Sequence, residues 1–235
     1  MILGDFLLAV GQMGDPRFQR VLWLGLGLTV LLLIAVYGGF VWLIALFVPG
    51  SITLPWVGWT LHPDFALSLA AGVLMMVASV FLMVPVASAF SGLFLDQVAE
   101  AVEDVHYPAL PPAPALPWSE MLGDALRFFV VLVLVNAVAL TLGLLLGPLA
   151  PVLFWAVNGY LLGREYFQMA AMRRVGRKGA TALRRRHGVE IWAAGVLMAL
   201  PLTVPVLNLL VPILGAATFT HLFHRLSGLR PARNV

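Results

Sequence analysis

Few side chains in this sequence could do chemistry. His221 and His224 stand three apart and so share one helical face, a spacing open to two metal ligands. Asn136, Asn158 and Asn208 offer amides that donate and accept, and in lipid such a group commonly joins two helices at about 1 kcal/mol. Four long apolar blocks contain no Asp, Glu, Lys or Arg, and the chain has no cysteine. A hydrolase or intramembrane protease needs a nucleophile beside a base, or a metal with several ligands. The pattern assembles neither, so it predicts no enzyme, no cofactor and no metal centre. The two histidines lie near a basic helix end and are expected simply to face the interface. Without cysteine, disulfides and thiolate sites are excluded.

The elements that must hold these groups are membrane helices. With 61% hydrophobic and 11% charged residues and a mean hydropathy of +0.98, the 235-residue chain is too apolar for a soluble domain. Val21–Val48 and Phe65–Phe90 exceed the roughly 20 residues that cross a hydrocarbon core, so each predicts a span. Phe128–Leu162 is interrupted by "GPLAP", and Trp192–Phe223 by Pro201, Pro205 and Pro212. Each is too long for one straight span and too short for two. The fit is a hairpin with arms of about 14 to 16 residues, reaching about 21 to 24 Å, which enters and leaves on one side. Its tips would fall at Gly147–Pro151 and Pro205–Pro212, where broken backbone has to be packed in protein or line a polar cavity. The expected class is an all-α integral membrane protein with two long transmembrane helices and two partly penetrating helical hairpins.

Of fourteen Lys and Arg residues, eight lie in Gly163–Gly188, three follow Phe223, and Arg17 and Arg20 precede the first span. Pro49–Asp64 has none. By the positive-inside rule the N-terminus, the basic segment and the C-terminus are cytoplasmic. Ile2, Leu3, Phe6, Leu7 and Val10 recur at helical spacing and predict a short interfacial amphipathic helix, with no signal peptide. Asp96, Glu100, Glu103 and Asp104 share a face opposite Phe94, Val98, Val102 and Val105; that acidic face is expected to be solvated, with pairing to the basic segment as the alternative. The chain then reads as one membrane domain, 1–235: an amphipathic helix and basic turn (1–20), span 1 (21–48), span 2 with an amphipathic extension (65–107), a Pro-rich linker (108–117), hairpin 1 (126–162), a basic cytoplasmic segment (163–190), hairpin 2 (191–224) and a tail (225–235).

"VPVLNLLVPILGAAT", Val204–Thr218, resembles the proline-asparagine-proline hairpin ending in Gly-Ala-Thr of the CysZ sulfate permease family, which shares a domain with the etoposide-induced membrane proteins of eukaryotes. "GDPRFQR", "SAFSGLFLDQVAEAVE" and "GYLLGREYFQMAAMRR" follow the family's order, so the resemblance covers nearly the whole chain. It implies two long helices with two partial hairpins, and sulfate uptake for assimilation and cysteine synthesis, in homo-oligomers of the bacterial inner membrane. Where the family usually has adjacent arginines before the first span, this chain has Gly14, Asp15, Pro16, Arg17 and then Arg20.

Sulfate is a strongly hydrated dianion, and low dielectric admits it only if donors and positive charge replace the water. Gly14, Arg17, Phe18 and Arg20 are the expected sulfate site, since Pro16 at a first helical position leaves the Arg17 and Phe18 amides without intrahelical partners. Pro205, Asn208 and Pro212 are the expected hairpin tip along the path. Sulfate, the bilayer and further copies of the chain are the expected partners, with no nucleic acid. Thiosulfate or sulfite, or a non-transporting scaffold with the same fold, are the alternatives.

Overall fold

The computed structural model describes residues 2–47, 51–54, 59–61, 95–114, 117–208 and 210–232. The second expected span, 65–90, lies outside them, as do Leu209 and residues 233–235. Two units are described separately.

In residues 24–87 the described part is the run of α2 (Pro16–Phe47) from Leu24 onward and an antiparallel ribbon, β1 (Ser51–Leu54) with β2 (Trp59–Leu61). Leu24, Leu31, Ile34 and Trp42 are exposed along the helix. With Pro16–Val36, α2 supplies a stretch long and apolar enough to cross a membrane.

The other unit, residues 1–23 and 88–235, is built around one buried helix. α1 (Ile2–Gly11), α3 (Asp96–His106), α5 (Ala150–Arg186) and α6 (Gly188–Ala199) all pack against α8 (Val211–Leu226). Every residue of α8 from Val211 to His224 except Pro212 is buried. α4 (Trp118–Leu146) lies against α5, with Arg177 of α5 reaching back to Asp124 and Glu120 near the start of α4.

One 3-10 turn, Gly147–Leu149, joins these two helices. Gly147 adopts φ +47°, which costs glycine little because it has no Cβ. α4 is 29 residues long and includes a 24-residue apolar stretch, Leu122–Leu145, none of it buried. At about 1.5 Å per residue that stretch reaches about 36 Å, so this arm is longer than the 21 to 24 Å expected. The difference arises because Glu120, Asp124 and Arg127, which end the uncharged run in the sequence, are themselves helical.

α5 continues for 37 residues through the basic segment and is interrupted at Gly176, where φ is +66°. α5 and α6 meet through glycine. A Cβ added at Gly159 would lie 2.8 Å from the Val196 amide nitrogen, and one at Gly163 would lie 2.6 Å from the Ile191 carbonyl oxygen. Gly195 faces the Gly159 carbonyl more closely still, leaving no room for a Cβ. Such a set of small residues lets the two backbones touch and gain dispersion where they cross. The indole Nε1 of Trp192 donates to Ala156 O at 3.0 Å across the same seam.

Candidate functional site

The turn before α2 is fixed by its own polar residues. Asp15 caps the helix: its Oδ1 accepts from the Arg17 amide at 2.8 Å and its carbonyl from the Gln19 amide at 3.1 Å. Gln12 Nε2 donates to Asp15 Oδ2 at 3.1 Å and to Ala101 O at 3.0 Å, tying the turn to α3. The Arg17 amide, expected to be free for an anion, is therefore taken by a carboxylate of the chain itself.

The four expected sulfate residues divide. Phe18 is fully buried in the core. Gly14 is exposed with nothing within 4 Å of where a Cβ would stand. Arg17 donates through its guanidinium to Asp104 Oδ2 at 2.5 Å, both side chains being more than half exposed, 56% and 54%. Arg20 is exposed, one turn further on, and forms no ion pair among the described residues.

The expected hairpin tip is a string of short turns: a 3-10 turn Leu200–Thr203, then α7 (Pro205–Asn208), then α8. Pro201, Pro205 and Pro212 each fall within the first two residues of a helical piece, where the missing N–H has no bond to lose. Thr203 Oγ1 donates to Leu200 O at 2.9 Å, and the amides of Val204, Asn208 and Leu214 find carbonyls three or four residues back. The prolines therefore start turns instead of stranding carbonyls inside a helix. Asn208 is exposed, and its side chain makes no hydrogen bond among the described residues. Asn136 and Asn158 each donate to the carbonyl four residues back, Leu132 O and Phe154 O at 2.8 Å, so these bonds stay within one helix.

The structure does not bring turn and tip together. Arg17 meets α3 at Asp104, and the neighbouring Glu103 meets α8 at His224, whereas the tip adjoins Val211 at the other end of α8. Thirteen residues of helix, about 20 Å, separate those ends.

Glu103 and the two histidines depart from expectation, whereas Glu100 and Asp104 of the same acidic face are exposed. Glu103, expected on a solvated face, is buried: Arg174 donates from Nε at 3.0 Å and Nη2 at 2.7 Å, Arg173 from Nη1 at 3.3 Å, and His224 Nε2 lies 3.0 Å away. Burial alone would raise this carboxyl, but the His224 and Arg174 hydrogen bonds and both arginine charges outweigh it and hold the group down at about 2. Arg173 also pairs with Asp96 at 3.4 Å. His221 and His224, expected at the interface, are both buried, with the Tyr107 hydroxyl 3.1 Å from His221 Nδ1.

α1 likewise carries a buried charge. Its one carboxylate, Asp5, points inward and accepts from Arg225 Nε at 2.9 Å and Nη2 at 2.8 Å, while Leu3 and Leu7 face out. Arg225 Nη1 also donates to Glu190 at 2.7 Å, so one guanidinium joins α1, α6 and α8. Hydropathy periodicity finds the apolar faces but does not reveal carboxylates whose partners lie 70 or 220 positions away. On α5, Glu165 is lifted to about 7 by burial, aided by the nearby Asp124 charge.

No curated protein matches the chain. The profile of the family described as sulfate transporter CysZ/etoposide-induced protein 2.4 matches residues 5–212, which takes in the capped turn, the paired carboxylates and the tip as far as Pro212. This is a transporter-type family and not a family of enzymes, and its match together with the apolar helices α2 and α4 points to a membrane protein. The chain belongs to the sulfate transporter CysZ/etoposide-induced protein 2.4 family.

Proposed function

We propose that the chain is a sulfate permease of the bacterial inner membrane, supplying sulfate for assimilation and cysteine synthesis as a homo-oligomer. The observation that carries this reading is the family match across residues 5–212. Sulfate binds at Gly14, Arg17, Phe18 and Arg20. An ion pair as exposed as Arg17–Asp104 is worth about 1 kcal/mol or less, so a dianion can compete with Asp104 for the guanidinium. Arg20 adds a second charge on the same helix, Phe18 anchors the turn in the core, and Gly14 leaves its approach open. Pro205, Asn208 and Pro212 form a later station on the path, with Asn208 as its polar lining. The tips at Gly147–Pro151 and Pro205–Pro212 lie inside the bilayer, and both termini are cytoplasmic.

Uptake of labelled sulfate into liposomes holding the purified protein tests the reading. Sulfate-dependent flux is expected, and Arg17→Ala or Arg20→Ala should weaken sulfate binding by about 1.5 to 3 kcal/mol, the value of a charge-assisted hydrogen bond. Lysine at either position should restore only part of the affinity, because it lacks the planar fork. A folded protein with no sulfate flux would overturn the permease reading. Normal affinity in both alanine variants would move the site elsewhere.

A further inference from the structure

A groove of about 480 Å³ runs between the start of α4 and the part of α5 beyond Gly176, lined by Arg127, Arg177, Lys178, Thr181, Ala182 and Arg185. Four of the six are cations and none is acidic. Arg177 is already engaged, with Nε 3.0 Å from Asp124 and Nη2 donating to Glu120 O at 2.6 Å. Arg127, Lys178 and Arg185 form no ion pair or hydrogen bond among the described residues, and all three are exposed. Lys178, Thr181 and Arg185 follow one another at helical spacing along one face of α5, so two charges and a hydroxyl converge on the same groove. Asp124, beside Arg177 and Arg127, offsets part of the repulsion among these cations, and an added anion relieves the rest.

The surroundings select the anion. Arg127 sits inside the apolar stretch Leu122–Leu145, and directly beyond it Val130, Val133 and Leu134 are exposed along α4. Charge at one end and a bare apolar helix leading away from it match the two halves of a lipid. We propose that this groove holds the phosphate headgroup of an anionic phospholipid, with Arg127, Lys178 and Arg185 on the phosphate oxygens, Thr181 donating to one of them, and the acyl chains lying on α4. The site is distinct from the sulfate site, whose arginines lie on α2, and it requires only that α4 lie against lipid.

Native mass spectrometry of the full chain in neutral detergent, titrated with phosphatidylglycerol and separately with phosphatidylcholine, tests this. The wild type should retain phosphatidylglycerol preferentially. In Lys178→Gln/Arg185→Gln that affinity should fall about tenfold to thirtyfold, as expected for two lost headgroup charges, with phosphatidylcholine binding unchanged. Arg230→Gln, in the exposed tail, should bind as the wild type does. Undiminished phosphatidylglycerol binding by the double variant would overturn the proposal. An equal loss in Arg230→Gln would overturn it too, since the effect would then be diffuse charge. Displacement of phosphatidylglycerol by equimolar glycerol 3-phosphate or inorganic sulfate would show a free-anion site instead. Should the double variant melt lower than wild type without lipid, the single changes Arg127→Gln and Lys178→Gln carry the same comparison, each expected to lose about fivefold.

Discussion

Glu103 is held by two guanidinium groups and an imidazole, all substantially withdrawn from water. Removing its charge leaves those partners buried and uncompensated, so Glu103→Gln should destabilise the protein by about 3 to 5 kcal/mol, read as a lowered melting temperature. Its titration has a definite sign. The unfolded carboxyl, near 4.5, takes up a proton before the folded one, near 2, so this stability is present above about pH 4.5 and is lost as pH falls towards 2. Glu165 acts in the opposite sense: folded near 7 and unfolded near 4.5, it contributes stability below about pH 4.5 that is lost as pH rises through 7. Glu165→Gln should therefore flatten the decline in melting temperature between about pH 5 and pH 8, and an unchanged decline would assign it to other groups. Asp104→Asn should free Arg17 and tighten sulfate binding by about twofold to fivefold, the worth of an exposed pair, as measured by calorimetry. In the sequence Glu103 and Asp104 look alike. Only the fold separates a buried hub from a surface partner, since the deciding neighbours come from α5, α8 and the first turn of α2.

Breaks between helices are legible in a way that their lengths are not. Gly147, with its positive φ, and the prolines at 201, 205 and 212 mark ends that backbone sterics impose locally, so the sequence locates them. The 29 residues of α4 were hidden because counting uncharged residues stops at Arg127, whereas Arg177 neutralises Asp124 and the helix runs on. The glycine seam of α5 and α6 leaves no mark in the hydropathy pattern, although Gly159 and Gly163 stand four apart. Gly195→Leu should force these backbones apart and lower stability by about 3 kcal/mol or more, whereas Gly143→Ala on α4, with open space around it, should be neutral or slightly stabilising. Equal melting temperatures for the two variants would mean that the close approach contributes little.

Among the described residues, long apolar helix faces lie exposed while a few charged side chains are buried in the core. Leu144 and Leu145 are about four-fifths exposed while Asp5, Glu103 and Arg173 are buried. Composition makes the apolar exterior legible, since 61% hydrophobic residues cannot all be interior. It says nothing of the ionic interior, which depends on contacts across most of the chain. On the proposed topology, single cysteines at Ala150 and Leu209 in this cysteine-free chain should resist a membrane-impermeant reagent from outside, and rapid labelling of both would show full spans. Asn208→Leu should cut sulfate flux with little loss of melting temperature if the residue lines the path, because an apolar group there favours dewetting. Normal flux through a destabilised variant would end that reading. The buried position of α8 carries one more consequence, for biosynthesis. Translation delivers α8 after α1, α3, α5 and α6, the four elements that surround it. Until it arrives Asp5 and Glu190 lack Arg225, Glu103 lacks His224, and the outer helices have no centre to close upon. On the proposed topology α2 and α4 can enter lipid before the core closes, and a nascent chain halted after α6 should then be membrane-bound yet unassembled, open to the cell's quality-control proteases.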